Sequence, residues 1–176
     1  MSGHNKFSKI KHQKAKNDGQ KSKIFGKLVR FISVEAKKAG GNLKSPGLAL
    51  AIEKAKKENM PNDTIDRAIK KATTDNSSAM ENITYETYGP GGIAILIHAL
   101  TDNRNKAAQE IKAILTKHEC ELAAVGSASW AFTKGPDGLM ANMTIPLEDE
   151  DIGKLHALVE ELEENDEVQD VYTNAE

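Results

Sequence analysis

Cysteine, tryptophan and long apolar runs are all scarce in this chain of 176 residues. Its single cysteine, Cys120, excludes an intramolecular disulfide framework and provides no zinc-finger spacing. No apolar run approaches the ~20 residues that a membrane helix needs. The first residues, MSGHNKFSKIKHQKAK, lack the apolar stretch of a secretory signal. We therefore expect a soluble, intracellular protein of the cytoplasm that makes no membrane contact.

Patterns that carry catalysis or hold a metal are missing as well. The five histidines are scattered and fall in neither an HxH nor an HExxH spacing. The glycine-rich stretch after Tyr88 is neither a P-loop nor a dinucleotide fingerprint, because no Lys-Ser/Thr pair and no GxGxxG pattern follows it. The sequence therefore predicts a protein without enzymatic activity, without a cofactor and without a metal.

Acidic side chains are few in the first half of the chain, and basic side chains are few in the second half. Residues 1–80 contain eighteen basic and seven acidic side chains, a net charge of +11. Residues 81–176 contain six basic and nineteen acidic side chains, a net charge of −13. A division of this size favours two modules, and it is typical of a protein whose basic part contacts nucleic acid.

The basic half is predicted to consist of an arm, a helical module and a linker. Residues 1–20 contain few large apolar side chains, so we expect a flexible basic arm. From residue 21 to a glycine pair, apolar residues recur every three or four positions, which predicts a first helix. A Ser-Pro pair starts a second helix, and an Asn-Asp pair after Pro61 caps a third. The helical module then spans residues 21–72, and the small polar residues 73–80 form a linker.

The acidic half, residues 81–176, has the pattern of an α+β domain. Apolar residues alternate over 83–88, a glycine-rich turn follows, and the apolar run IAILIHAL forms the next strand. From there the predicted order is strand, helix, strand, strand, helix, strand, with the middle strands at 121–133 and 139–147. This is the ferredoxin-like βαββαβ arrangement, with the strand at 83–88 added at an edge. The expected fold is therefore α+β, an N-terminal three-helix module with a basic arm followed by a ferredoxin-like domain.

Basic side chains on the arm and the helices form the first candidate site. Their positive charges can neutralise phosphates and release counterions, which is the chemistry of nucleic-acid binding. A lysine-rich tail that only aids solubility is the competing interpretation. The candidate nucleic-acid-binding residues are Lys6, Lys9, Lys11, His12, Lys14, Lys16, Lys21, Lys23, Lys27, Arg30, Lys70 and Lys71.

A second candidate surface lies in the acidic half. The YGPGG segment has more glycine than a turn needs, which favours a close backbone approach by a partner. Beyond the strand at 92–100, an arginine in the first turn of a helix opposes the helix dipole, which indicates a purpose other than capping. The turn and the helix start lie at opposite ends of that strand, so they are two separate contacts. The candidate partner-contact residues are Tyr88, Gly89, Gly91, Gly92, Asn103, Arg104 and Asn105.

Six motifs together resemble the YebC/PmpR family. In chain order they are GHNKFSKIKHQKA, KIFGKLVR, KAKKENMPNDTIDRAIKKA, YETYGPGGIAILI, LTDNRN and GSASWAF. The family includes the mitochondrial translational activator of cytochrome c oxidase subunit I. The resemblance implies either a DNA-binding transcriptional regulator or a factor that works on the ribosome and relieves stalling on proline-rich stretches.

The sequence departs from the family in one large respect. Members usually have three domains, the third inserted in the second after the strand that matches SWAF. Here a short turn, GPDG, connects that strand directly to the segment LMANMTIPL. We therefore expect a short member that lacks the inserted third domain.

The choice between RNA and DNA depends on the kind of basic residue. Sixteen of the eighteen bases in residues 1–80 are lysines, which suit phosphate contacts better than the reading of base edges. The helical module also has no clear helix-turn-helix with base-reading side chains. We therefore expect a ribosome-associated, RNA-binding translation factor that contacts ribosomal RNA and basic ribosomal proteins. A DNA-binding transcriptional regulator is the alternative, and a module that docks its acidic half on a basic protein is a third option.

Overall fold

A computed structural model describes residues 18–76, 79–136 and 138–176. The chain divides into a helical unit that ends at Met80 and a sheet unit that runs from Glu81 to Glu176. Residues 1–17 of the predicted arm lie outside the described residues. Within the described residues the first helix begins at Asp18, so the last three residues of the predicted arm are helical.

Three helices form the helical unit, and their ends follow local sequence signals. They are α1 (Asp18–Lys38), α2 (Pro46–Lys57) and α3 (Asn62–Thr74). After α1 the chain turns at Gly40 and Gly41, whose φ angles are +56° and +79°. Ser45 is the N-cap of α2, with Pro46 at its first position. The Asn-Asp pair that was predicted to cap α3 lies inside it instead, because Pro61 is the N-cap.

The core of the helical unit is built from the predicted apolar stripes. α1 packs against both α2 and α3. Apolar residues three or four positions apart fall on one side of a helix, and burying these sides against each other supplies most of the stability of short helices. The buried core residues are Ile32, Ala36, Leu48, Ala51, Ala55, Met60, Ile65 and Ala68.

The sheet unit contains six strands and two helices. They are β1 (Glu81–Tyr88), β2 (Ala94–Thr101), α4 (Arg104–Lys117), β3 (Leu122–Ala123), β4 (Phe132–Gly135), β5 (Gly138–Ala141), α5 (Asp149–Glu164) and β6 (Val168–Thr173). Four strands form an antiparallel sheet in the order β3-β1-β2-β6, and β4 and β5 form a separate hairpin.

Two details of the predicted sheet are corrected. β1 lies inside the sheet and not at its edge, because it has a partner on each side. It pairs with β2 along its whole length, from Glu81 opposite Thr101 to Tyr88 opposite Ala94, and with β3 at Glu86 and Thr87. The short hairpin connection accounts for the pairing with β2. The predicted strands at 121–133 and 139–147 are mostly not strands of this sheet: β3 has two residues, and β4 and β5 pair only with each other.

The two faces of the sheet are covered by different elements. Side chains alternate along β2, so Ile93, Ile95 and Ile97 pack with α4 and α5 on one face. Ala94 and Leu96 pack on the other face, against the β4–β5 hairpin and the turn before it. The α+β class with N-terminal helices is thereby confirmed. In the part of the chain that the structure describes, no helix is long and apolar enough to cross a membrane.

Candidate nucleic-acid interface

The predicted basic set divides between described and undescribed parts of the chain. Lys6, Lys9, Lys11, His12, Lys14 and Lys16 lie outside the described residues. On α1, Lys21 and Lys23 are exposed, whereas Lys27 and Arg30 are half-buried. Lys23, Lys27 and Arg30 fall on the side of α1 opposite its apolar stripe, since successive helical residues are ~100° apart.

The exposed lysines of α3 lie near the end of the helix. Lys70 and Lys71 are both exposed, whereas Ile65 and Ala68 of the same helix are buried. Positive charge near a helix C-terminus is stabilised by the helix dipole. Fold stability therefore accounts for part of this pattern. No carboxylate among the described residues forms an ion pair with Lys70 or Lys71.

Other cations of the helical unit have partners within their own unit. Arg67 pairs with Asp63 at 2.9 Å, and its Nε also donates to the Asp63 carbonyl oxygen at 3.3 Å. Lys57 pairs with Glu53 at 3.1 Å. The Lys54 ammonium lies 5.5 Å from the centre of the Phe31 ring, within cation–π range.

The glycine-rich turn between β1 and β2 has an internal packing role at two positions. A Cβ on Gly89 would lie 2.7 Å from the Ile95 side chain, and one on Gly91 would lie 2.3 Å from Leu147. Gly91 also has a φ of +68°, a conformation that glycine adopts at no steric cost. Gly92 has a φ of +75° and is exposed, and a Cβ added there would meet no atom within 4 Å. Packing therefore accounts for Gly89 and Gly91 without a partner.

The start of α4 is organised by a side-chain cap and an ion pair. Asn103 is the N-cap, and its side-chain oxygen accepts a hydrogen bond from the Lys106 N–H at 3.0 Å. The exposed Arg104 Nε lies 3.4 Å from Glu81 Oε2, so the arginine pairs with the first residue of β1. Asn105 is exposed beside it.

The structure does not bring the two parts of the second candidate surface together. The glycine-rich turn lies before β2 and the start of α4 lies after it. A strand of eight residues is ~25 Å long at the usual rise per residue. The residues near Tyr88 and those near Arg104 are therefore two surfaces at opposite ends of β2.

Sequence reasoning missed a buried carboxylate that organises the GSASWAF segment. Glu86 is 5% exposed, and its two oxygens accept hydrogen bonds from the backbone N–H groups of Gly126, Ala128 and Ser129 at 2.7, 2.7 and 2.9 Å. Burial raises the pKa of Glu86, and these three hydrogen bonds outweigh it, so the pKa lies below its ordinary value. The only sequence signal was the motif itself, which gives no indication of a contact 40 residues away.

Another polar cluster lies between the end of α4 and α5. The Glu161 carboxylate accepts hydrogen bonds from Lys117 at 2.9 Å and pairs with His118 at 2.7 Å. These two groups, Lys117 first, hold the pKa of Glu161 below its ordinary value. Burial raises the pKa of the nearby Cys120 thiol, which makes it a poor nucleophile. Among the described residues, no group of three or more His, Cys, Asp or Glu side chains is arranged to hold a metal ion.

Family models match both units of the chain. The model described as the TACO1/YebC protein N-terminal domain matches residues 5–75, and the model described as the TACO1/YebC second and third domain matches residues 80–135. The second match ends at the turn where the sequence was expected to depart from the family pattern.

The chain is similar to several curated proteins. A "Probable transcriptional regulatory protein" of Fervidobacterium nodosum is 45% identical over 171 residues, which cover 96% of this chain and 68% of that protein. One of Trichlorobacter lovleyi is 43% identical, with coverage of 98% and 70%. One of Thermotoga maritima is 48% identical over 136 residues, and this match spans about half of that protein, 54%.

A solved structure shows the same fold. The crystal structure of a conserved hypothetical protein from Aquifex aeolicus is similar to this chain with a TM-score of 0.82 and 31% sequence identity. The similarity covers 95% of each chain.

Proposed function

We propose that this chain, which belongs to the TACO1/YebC family, is a nucleic-acid-binding regulator of gene expression that acts on RNA during translation and has no enzymatic activity. The observation that carries the proposal is the division of charge. The net charge is +11 over residues 1–80 and −13 over residues 81–176. A polyanion is attracted by the first part and repelled by the second, so binding is directed to the arm and the helical unit.

The arginines of the basic half support phosphate contact over base reading. Only Arg30 and Arg67 are present there. Arg67 is engaged by Asp63, and Arg30 is half-buried on α1. Bidentate recognition of guanine needs an exposed guanidinium aimed at the base edge. Lysines bind phosphates as point charges and carry no sequence information.

The acidic sheet unit supports RNA within a protein-rich particle over duplex DNA. A unit of net charge −13 opposes a long contact along a duplex, whose charge is dense on all sides. The same unit is complementary to basic proteins. The ribosome offers both chemistries, RNA phosphates for the helical unit and basic ribosomal proteins for the sheet unit. The family resemblance implies such a factor as one of its two alternatives.

A DNA-binding transcriptional regulator is the second candidate function. The observation that favours it is the name of the relatives, each a "Probable transcriptional regulatory protein". Phosphate neutralisation by lysines serves this function equally well. The two candidates differ in the nucleic acid that binds more tightly.

The test is a titration of labelled single-stranded RNA and duplex DNA at three salt concentrations. If about six phosphates are neutralised, the slope of log K against log salt is roughly −4 to −5. Replacing Lys6, Lys9, Lys11, Lys14 and Lys16 with Gln should flatten the slope by several units, because each lost phosphate contact removes ~0.7 to ~0.9.

Matched double variants separate a binding face from a general charge effect. Lys70→Gln/Lys71→Gln should flatten the slope by up to ~1.8. Lys112→Gln/Lys134→Gln removes the same charge from exposed positions of the sheet unit and should leave the slope unchanged. An unchanged slope in the five-lysine variant would show that the arm only aids solubility. A strong preference for duplex DNA would establish the second candidate instead.

A further inference from the structure

Exposed large apolar side chains of the sheet unit are concentrated in one layer. Tyr88 at the end of β1 is 39% exposed, Val125 is 93% exposed and Trp130 is 55% exposed. Met140 on β5 and Met143 just after it are also exposed. No large apolar side chain of α4 or α5 is exposed to a similar extent in the described residues. Apolar side chains gathered in this way mark interaction surfaces, where Trp, Tyr and Met are enriched.

Hydrogen bonds fix the two aromatic rings in place. The Trp130 indole N–H donates to the Ser127 carbonyl oxygen at 2.8 Å and to the Tyr88 hydroxyl oxygen at 3.1 Å. The Tyr88 hydroxyl donates to the same Ser127 oxygen. Glu86 holds the backbone of this segment through Gly126, Ala128 and Ser129. Rings that are already ordered lose little entropy when a partner binds.

The same hydrogen bonds determine which parts of the two rings can contact a partner. Because the indole N–H and the tyrosine hydroxyl proton are already donated within the chain, neither is available to orient a polar partner. What remains is the flat faces of the rings, which carry partial negative charge. Such faces bind planar apolar groups or cations.

Acidic side chains lie beside the same end of β1. Tyr88 leads directly into the glycine-rich turn, and a Cβ on Gly91 would lie 3.4 Å from Asp151 Oδ2. Asp151 is the last of four consecutive acidic residues at the start of α5, at positions 148–151. These carboxylates lie on the α5 face of the sheet, whereas Tyr88, which pairs with Ala94, lies on the opposite face with Trp130. The carboxylates contribute to the net charge of −13 on this half of the chain, which attracts a basic segment from a distance.

We propose that the surface formed by Tyr88 and Trp130 binds arginine side chains of a basic polypeptide segment. A guanidinium is planar and weakly hydrated, so it stacks on an aromatic face better than an ammonium does. Neighbouring cations of the same segment are attracted by the net charge of −13 on residues 81–176. A nucleobase also stacks on aromatic rings, but its phosphates are repelled by the net charge of −13 on this half of the chain. This surface is independent of the nucleic-acid interface of the helical unit.

The single tryptophan of the chain makes the proposal directly measurable. The full chain is titrated with a nonapeptide of alternating arginine and glycine, and Trp130 fluorescence is followed. We expect a saturable change. The same peptide with citrulline in place of arginine, which keeps the shape and removes the charge, should bind at least tenfold more weakly. A lysine-glycine peptide of equal charge should bind about threefold more weakly.

Variants assign the binding to the rings. Trp130→Leu, measured by calorimetry, should weaken binding of the arginine peptide about three- to tenfold, the range of one cation–π contact. Glu148→Gln/Glu150→Gln and Glu163→Gln/Glu164→Gln each remove two charges at the two ends of α5, which covers the opposite face of the sheet, and each should change the binding much less.

Three results would overturn the proposal. The citrulline peptide could bind as tightly as the arginine peptide, or a folded Trp130→Leu chain could bind the arginine peptide as tightly as the unaltered chain. A uridine decanucleotide could change Trp130 fluorescence where the arginine peptide does not, which would assign the surface to nucleobases. If Trp130→Leu loses its circular dichroism signal, the comparison of arginine and citrulline peptides on the unaltered chain decides the question.

Discussion

Glu86 determines the structure of a segment that is remote in sequence. Three backbone N–H groups between residues 126 and 129 donate to its carboxylate, which is 5% exposed. Donors used in this way are unavailable to a strand ladder, and Gly126 has a φ of +88°, outside the strand region. The predicted strand at 121–133 is therefore interrupted after Ala123. A single sequence does not reveal such a contact, because its two ends are joined only in the folded chain.

The first prediction concerns the stability that this carboxylate provides. Glu86→Gln should lower the free energy of unfolding at pH 7 by ~1–3 kcal/mol, because an amide NH2 replaces an acceptor among backbone donors. The pKa of Glu86 in the folded chain is below its ordinary value of 4.5. The carboxylate's contribution is therefore complete above pH 4.5 and is lost as the pH falls through the folded-state pKa. Urea unfolding of both chains between pH 3 and pH 7 measures the difference.

The control for this prediction is a neighbouring exposed glutamate. Glu121→Gln removes the same charge at an exposed position next to β3 and should change the free energy of unfolding by less than ~0.5 kcal/mol. Equal stabilities of the Glu86→Gln and Glu121→Gln chains at pH 7 would contradict the role given to Glu86. A difference that persists undiminished below the folded-state pKa would contradict it as well.

At the scale of elements, the helices and the β1–β2 hairpin were predictable, and the other strand partners were not. α1, α2 and α3 follow from apolar spacing and from the glycine and proline residues between them, which are local signals. The position of β1 inside the sheet depends on pairing, and the expected edge position came from counting the ferredoxin-like pattern from residue 92 onward. The β4–β5 hairpin also depends on tertiary context, because its inner residues pack on Ala94 and Leu96.

The second prediction separates glycines by the elements that contain them. Gly91→Ala should lower the free energy of unfolding by ~2–4 kcal/mol, because a left-handed φ and a clash with Leu147 both oppose a side chain. Gly92→Ala should lower the free energy of unfolding by only ~1–2 kcal/mol, because the left-handed φ opposes a side chain but no neighbouring atom does. Gly153 lies within α5 with open space around it, so Gly153→Ala should raise the free energy by ~0.5–1 kcal/mol.

Chemical denaturation of the three chains under one condition tests this order. The Gly153→Ala chain serves as the control for the added methyl group, since its change should have the opposite sign. Equal losses for Gly91→Ala and Gly92→Ala would show that Leu147 moves aside without cost. The packing role of Gly91 against Leu147 would then be wrong, and its left-handed φ alone would account for the loss.

At the scale of the whole molecule, the charge division coincides with the division into units. The helical unit ends at Met80, and the two family models meet between residues 75 and 80. The boundary expected from the sequence rests on composition alone, since a change in net charge from +11 to −13 needs no knowledge of contacts, and it stays a prediction. What composition could not provide is the Tyr88–Trp130 surface, which requires the loop geometry that Glu86 sets.

The last prediction is that, between residues 18 and 176, proteolysis of the folded chain begins at residues 73–80. α3 ends at Thr74 and β1 begins at Glu81, and the described residues between them belong to neither helix nor strand. Backbone in such a junction opens at little cost, whereas cleavage within a packed element requires local unfolding. A protease of broad specificity should release a resistant acidic fragment that begins near Glu81 and a basic fragment that elutes separately on ion exchange. Mass spectrometry identifies the cleavage points.

The acidic fragment should retain the arginine-peptide response of Trp130, and RNA binding should remain with the basic fragment. Early cuts within β2, α4 or α5 would show that the sheet unit does not fold independently, and the predicted domain boundaries would then be wrong.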